Sequence, residues 1–302
     1  MQKHYPHLNE KYNAIATKSK EERILQLHAE VLIKYPKAKK VHAILHHFMN
    51  RPKKARVQNL LITGESNMGK TSILRSFAKE HHDYTIEDQE GITHAIKPVV
   101  MALASDNADV KHLYISILEA LHIPFNPTDP LAKLRHQMFY LLKETEVKML
   151  IIDEIHHFLR GTPKQQRNVM DALKNIGNEL MIPLICVGIP EASIILTSDE
   201  QLRSRFDEIQ LTKWALDKNF LGLLQSFEKV IPLHKPSHLI EKEKAILLHT
   251  ISDGNLGDLH RLLIECATYA IENEIEEITV DIIKKFQWLK PTSTLASRII
   301  PI

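Results

Sequence analysis

Gly64-Glu65-Ser66-Asn67-Met68-Gly69-Lys70-Thr71 has the spacing G-x-x-x-x-G-K-[ST], which suits one chemistry, the grip on a chain of phosphates. Glycines let the backbone wrap closely around phosphate oxygens, so that successive N–H groups point at the anion. A helix opening behind the loop adds the positive end of its dipole. In such a loop Lys70 reaches the β- and γ-phosphates and the Thr71 hydroxyl ligates Mg2+, with Glu65, Ser66, Asn67, Met68 and Ser72 completing the contacts.

A second group of candidates lies about 80 residues further on, where Met149-Leu150-Ile151-Ile152 ends in Asp153-Glu154. Alone, an apolar run closed by two acids is often just a strand end. After a phosphate loop and an intervening strand, Asp153 is placed to hold Mg2+, directly or through water. Glu154 is placed to orient and activate the attacking water, which reads as hydrolysis of ATP rather than a binding switch. Phosphoryl transfer also needs positive charge where the γ-phosphate departs. Gln201-Leu202-Arg203-Ser204-Arg205-Phe206 offers Arg205 first and Arg203 second, each reaching a neighbouring copy's nucleotide as in ring or filament ATPases. The alternative is a pair of surface arginines bound to Asp199 or Glu208. In Gly254-Asn255-Leu256-Gly257-Asp258-Leu259-His260-Arg261 a helix start can bring Arg261 over the phosphates.

These residues need a scaffold, and the hydrophobic pattern supplies one. Apolar runs predict strands at Asn59–Thr63, Lys97–Leu103, Lys148–Asp153, Ile182–Val187 and Glu208–Leu211. Helical spacing predicts helices over Lys70–His82, Val110–Leu121, Leu131–Glu144 and Gln165–Leu180. The alternation implies an α/β fold with a parallel five-stranded sheet flanked by helices. Asp217–Val230, Ser237–Ser252, Gly257–Asn273 and Thr279–Trp288 read as a small all-helical lid. Two amphipathic helices, Glu21–Tyr35 and Lys37–Asn50, meet at Pro36. The expected organisation is a basic helical extension of the ATPase domain (1–56), the α/β core (57–214), the lid (215–290) and a frayed tail (291–302).

Composition narrows the class. The chain has 302 residues, 44% hydrophobic and 25% charged, which is globular usage. Met1–Lys20 is polar and no apolar stretch is long enough to span a bilayer, so no membrane role and a cytoplasmic location are expected. Cys186 in a strand-like run and Cys266 in a helical one read as buried free thiols. A net charge of +2 does not by itself argue for nucleic acid. Between Glu30 and Glu65, however, lie Lys34, Lys37, Lys39, Lys40, Arg51, Lys53, Lys54 and Arg56 with no acid. This reads either as solvated helix faces or as a surface for an anionic partner such as a DNA backbone. The 18 histidines include His46-His47, His81-His82 and His156-His157, without zinc spacing.

Loop, acidic strand, arginine segment and helical lid together resemble the AAA+ ATPases. From about Glu21 to Leu289 the chain more specifically resembles the TniB/TnsC-type regulators of DNA transposition. The resemblance rests on Leu60–Thr71 and on Ile152-Asp153-Glu154-Ile155-His156-His157-Phe158-Leu159. It continues through Gln165-Gln166-Arg167, Gly177-Asn178-Glu179-Leu180, Ile182-Pro183-Leu184, Gly188 with Glu191-Ala192, Gln201–Phe206 and Trp214. It implies an ATPase that oligomerises on double-stranded DNA as a ring or filament, recruits or activates a transposase, and receives a targeting protein. ATP would favour the assembly and hydrolysis would dismantle it. It also implies a DNA backbone contact from Asp109-Val110-Lys111-His112 and the turn at Thr128, with Lys111 the first candidate. Two positions depart from the superfamily pattern. Ile189 stands where a polar residue usually senses the γ-phosphate, and His260 where a lid arginine is often found. The competing expectations are an ATPase of another DNA process, such as an origin initiator or helicase loader, and a nucleotide-gated scaffold that never touches DNA. A separate winged-helix domain would favour the initiator, and the lid ends near Trp288 with little chain after it.

Overall fold

The computed structural model describes residues 4–29, 35–52, 57–194 and 203–289. Lys34, Lys53, Lys54 and Arg56 of the basic stretch, Asp199, Gln201, Leu202 and the tail 291–302 lie outside them. The chain divides into two compact units, one of Val41–Glu65 with Lys70–Leu211, the other of Met1–Lys40, Ser66–Gly69 and Thr212–Ile302.

The first unit is built on a parallel sheet in the order β4-β5-β6-β1-β7. Its strands are β1 (Asn59–Gly64), β4 (Val99–Leu103), β5 (Met149–Asp153), β6 (Leu184–Gly188) and β7 (Phe206–Leu211). Every residue of β1, β5 and β6 is buried, as expected of central strands covered on both faces, where no polar alternation is tolerated. Asn59 is a polar exception with a task. Its side-chain oxygen accepts from Leu184 N at 3.0 Å and its N–H donates to Arg205 O at 2.7 Å, tying β1 to both neighbours. Helices α4 (Lys70–Glu80), α5 (Val110–Ala120), α6 (Leu131–Glu144) and α7 (Pro163–Leu180) connect the strands, and Leu113, Ile117, Met138, Val169, Leu173 and Ile176 pack into the main core. Parallel strands present their carboxyl ends at one edge, where α/β proteins bind ligands. β1 and β5 therefore deliver the phosphate loop and the acidic pair to the same edge, with β6 between them.

Two features of this unit were not expected. Tyr84–Glu87 (β2) and Thr93–Ile96 (β3) form an antiparallel hairpin. Its turn is closed by Asp88, whose carboxylate accepts from Glu90 N and Ile92 N, and by Gly91 at φ +79°. Helix α7 starts at Pro163 because Thr162 and Gln165 form a reciprocal capping box ahead of the apolar stripe.

The second unit contains α1 (Glu10–Ala16), α2 (Lys20–His28), the first turn of α3 (Pro36–Met49) and four C-terminal helices, α8 (Lys218–Glu228), α9 (Lys242–Ser252), α10 (Leu256–Glu272) and α11 (Val280–Lys285). Residues up to Lys40 group in this unit with the C-terminal helices. The physical reason is a buried ion pair. Arg23, 2% exposed, donates from Nη1 to Glu276 Oε1 at 2.9 Å, from Nη2 to Oε2 at 2.5 Å and from Nε to Pro232 O at 3.0 Å. The helix expected over Glu21–Tyr35 begins instead at a Ser19–Glu22 capping box and stops at His28, while Pro36 opens α3. No described helix is long and apolar enough to cross a membrane.

Candidate active site

Gly64 ends β1 against β7, where a Cβ would stand 2.7 Å from Leu211 O, so only glycine permits this approach. The loop then takes left-handed backbone at Asn67 (φ 63°) and Gly69 (φ 78°). Mixing left- and right-handed residues turns successive N–H groups inward, the nest that anions occupy. Lys70, the first residue of α4, is 6% exposed and donates from Nζ to Gly64 O at 2.8 Å and to Glu65 O at 2.9 Å. Burial lowers its pKa, opposed by the charges of Glu154 and Asp153. Two carboxylates thus stand within electrostatic reach of the ammonium.

Thr71 Oγ1 donates to Asp153 Oδ2 at 2.7 Å, so the loop hydroxyl and the strand-end carboxylate, distant in sequence, meet. Asp153 Oδ1 accepts from Glu154 N at 2.9 Å. Both are hard oxygen donors, and Mg2+ takes few protein ligands besides phosphate and water, so the pair fits that ion. Among the described residues no cluster of three or more His, Cys, Asp or Glu is arranged for a metal. Glu154 has left-handed backbone (φ 56°, ψ 36°) and starts the 3-10 helix Ile155–Arg160. His156 Nδ1 lies 3.1 Å from Glu154 Oε2. Burial is the main cause lowering the His156 pKa, against the pull of Glu154. Behind the loop, Glu208 Oε1 accepts from Thr63 Oγ1 at 2.9 Å and Ser193 Oγ at 2.8 Å. Ile189, half-buried beyond β6, carries no polar side-chain atom.

In the second unit the loop tip Ser66–Gly69 is held by residues the sequence reading did not single out. Asn255, 2% exposed, caps α10 by accepting from Gly257 N and Asp258 N at 3.0 and 3.2 Å, and its amide donates to Ser66 O at 2.9 Å. Gly257 N also donates to Asn67 O at 2.8 Å, and a Cβ on Gly257 would stand 2.7 Å from Asn67 Cβ. The available signal was an asparagine just before a helical run, an N-cap signature. Arg261, one turn into α10, is exposed. His260 is half-buried with its ring 6.0 Å from that of Phe227, and burial lowers its pKa. It serves lid packing.

The remaining candidates are spread over other elements. Arg205 donates to the Asn178 side chain of α7, while Arg203 is exposed. Glu208, the expected alternative partner, is engaged by Thr63 and Ser193. Lys111 is half-buried in the first turn of α5, a helix capped by Asp109, whose carboxylate accepts from His112 N at 2.9 Å. Thr128 is exposed in a turn where Asn126 Oδ1 accepts from its N–H and hydroxyl. Lys37 lies 4.4 Å over the Trp214 ring and donates to Thr212 O, so one lysine of the basic stretch serves packing. Cys186 and Cys266 are buried free thiols, and burial pushes Cys186 up to about 12.

The family profile described as "Bacterial TniB protein" matches residues 23–216. No curated protein matches the sequence. Among solved structures, the Aeropyrum pernix ORC2 protein aligns with a TM-score of 0.62 at 14% identity, covering 86% of this chain and 70% of that one. Cdc6p of Pyrobaculum aerophilum gives 0.61 at 15%, covering 86% and 69%. Drosophila ORC bound to DNA gives 0.54 at 12%, covering 89% and 65%. These likenesses establish the fold, that of the P-loop AAA+ ATPases, and the profile match establishes kinship: the chain belongs to the TniB family.

Proposed function

We propose that this protein is an ATP-hydrolysing regulator of DNA transposition that oligomerises on double-stranded DNA, recruits or activates a transposase, receives a targeting protein, and disassembles on hydrolysis. The observation that carries the reading is the meeting of Thr71 and Asp153 in a chain of the TniB family. On ATP binding, Lys70 exchanges the carbonyls of Gly64 and Glu65 for β- and γ-phosphate oxygens. Thr71 and Asp153 would hold Mg2+, which would neutralise charge on the transferring phosphoryl group. Glu154 orients a water and accepts its proton. Arg205, with Arg203 as the second choice, stabilises departing charge in a neighbouring copy, and Arg261 contributes from the lid. Lys111 and Thr128 meet the DNA backbone, which gives little sequence preference and steep salt dependence. A DNA-bound structural relative, Drosophila ORC, lends this some support.

The test is binding to random-sequence duplex DNA with a non-hydrolysable ATP analogue, ADP or no nucleotide, with the complexes imaged. Analogue-dependent rings or filaments along DNA are expected. Lys70→Ala should lose nucleotide and assembly, whereas Glu154→Gln should bind ATP and persist on DNA. Nucleotide binding without DNA binding at low salt would replace the DNA role with that of a nucleotide-gated scaffold. Likeness to ORC2 and Cdc6p favours a second reading, an origin-type initiator. It would be supported by DNA assembly that no transposase alters.

A further inference from the structure

The segment behind the acidic pair carries a histidine turned toward the candidate base. β5 stops at Asp153 because Glu154 adopts a left-handed backbone (φ 56°, ψ 36°), which a residue with a side chain keeps only when its surroundings over-determine it. That turn folds the chain into the 3-10 helix and brings the His156 ring back to the Glu154 carboxylate, Nδ1 to Oε2 at 3.1 Å. The His156 side chain is 17% exposed and that of Glu154 36%. Nδ1 itself is shielded from solvent and has no aligned hydrogen-bond partner. The carboxylate stands at hydrogen-bond distance but off angle. Burial, foremost, keeps the ring neutral, leaving one nitrogen to carry a proton.

The surroundings fix the ring. Its centroid lies 4.8 Å from that of His157, edge to face, and His157 Nδ1 is 3.1 Å from Ala104 O beyond β4. Gly188 closes β6 against the same segment, where a Cβ would stand 3.3 Å from Ile155 Cγ2 and 3.5 Å from His156 N. The ring is also within electrostatic reach of Lys70. At this edge the next residue of the β6 connection, Ile189, has no polar side-chain atom.

We propose that His156 is a positioning residue, whose Nδ1–H holds the Glu154 carboxylate in the orientation that accepts the proton of the attacking water. It supplies from the acidic segment the polar contact that Ile189 lacks. It acts through Glu154 rather than on substrate, and the proposal rests on the reading of Glu154 as the base.

Four variants and one spectrum test it. His156→Leu keeps bulk but donates nothing, and His156→Asn places an amide N–H where Nδ1–H stands. Glu154→Gln removes the base, and the double variant Glu154→Gln/His156→Leu tests whether His156 acts through it. His156→Leu should lower kcat about ten- to hundredfold while ATP affinity and thermal unfolding stay near wild type. His156→Asn should restore most of that loss. In the Glu154→Gln background His156→Leu should have no further effect, since the two act as one unit. In the nucleotide-free protein, 15N NMR of the imidazole should show the Nδ1–H tautomer, with a resonance that moves on Glu154→Gln. An Nε2–H tautomer indifferent to Glu154→Gln overturns the proposal. So does His156→Asn as slow as His156→Leu, or His156→Leu as fast as wild type. In those cases an inactive, ATP-binding Glu154→Gln leaves the reading of Glu154 standing; wild-type hydrolysis by Glu154→Gln removes both.

Discussion

Asn255 ties helix α10 to the phosphate loop, and two substitutions separate its tasks. Its side-chain oxygen caps the helix through Gly257 N and Asp258 N, and its amide donates to Ser66 O at 2.9 Å. Asn255→Ala removes both. A lost N-cap costs about 1 kcal/mol, and a lost buried hydrogen bond about 1 kcal/mol more. The sum of roughly 2 kcal/mol corresponds to a fall in Tm of roughly 4–8 °C for a protein of this size. Asn255→Asp keeps the capping acceptor but turns a carboxylate toward the Ser66 carbonyl, so the cap survives while the loop contact becomes repulsive. Its Tm should fall by roughly half as much. Nucleotide must then order a loop tip that Asn255 otherwise holds, and about 1.4 kcal/mol of lost preorganisation weakens binding about tenfold. Calorimetric titration with ADP and a thermal melt of each variant decide the matter. If Asn255→Asp binds ADP as tightly as wild type while Asn255→Ala melts early, Asn255 is only a helix cap.

Three further outcomes follow from the second unit. Gly254→Ala places a Cβ 2.2 Å from Trp214 O at a φ of +65°, so more than about 3 kcal/mol of stability should be lost, seen as an early melt with intact β-sheet circular dichroism. Arg23→Met strands the Glu276 carboxylate in a buried site and should cost about 3–5 kcal/mol by denaturant titration, whereas pairing it with Glu276→Leu should recover much of that. For Glu276, burial alone would raise the pKa; the hydrogen bonds and charge of Arg23 outweigh it and hold the carboxyl below its ordinary 4.5. A depressed folded pKa means stability that is present above about pH 4.5 and lost as pH falls through the folded value. Wild type should therefore lose Tm below that pH more steeply than Glu276→Gln.

The fold was legible wherever burial imposes a pattern. Continuous apolar runs marked β1, β5 and β6, because central parallel strands tolerate no polar face. Leu131–Glu144 was readable to the residue, since an apolar stripe fills the core side of α6. The β2–β3 hairpin escaped because β2 is only four residues long and wholly exposed, too short for its alternation to stand out. Helix α1 has only seven residues, too few for periodicity to stand out. In the candidate site, glycine spacing and strand-end acids announced the loop and the Thr71–Asp153 meeting. Asn255 was hidden because it acts by where the chain returns in space, and the His156 contact because it depends on the left-handed turn at Glu154. The N-terminal grouping was hidden for the same reason as Asn255, since only the folded chain shows Arg23 reaching Glu276.

The polar groups at the sheet edge are matched to one another. Lys70 rests on two carbonyls, Thr71 on Asp153 and Glu154 beside His156. A buried charge without a partner is expensive, so these pairings let the phosphate loop fold with no nucleotide to neutralise it. Binding ATP then becomes an exchange of partners rather than the rescue of isolated charges. Only the difference between old and new contacts appears as affinity. The same logic separates binding from hydrolysis. On the proposed mechanism, Lys70 and Thr71 would change partners when phosphate arrives, whereas Glu154 would have to be held in place for a water that comes later. On that proposal, the site would bind ATP fully while its rate is set by how well one carboxylate is kept in orientation, which would make hydrolysis the step most open to control from the surrounding protein.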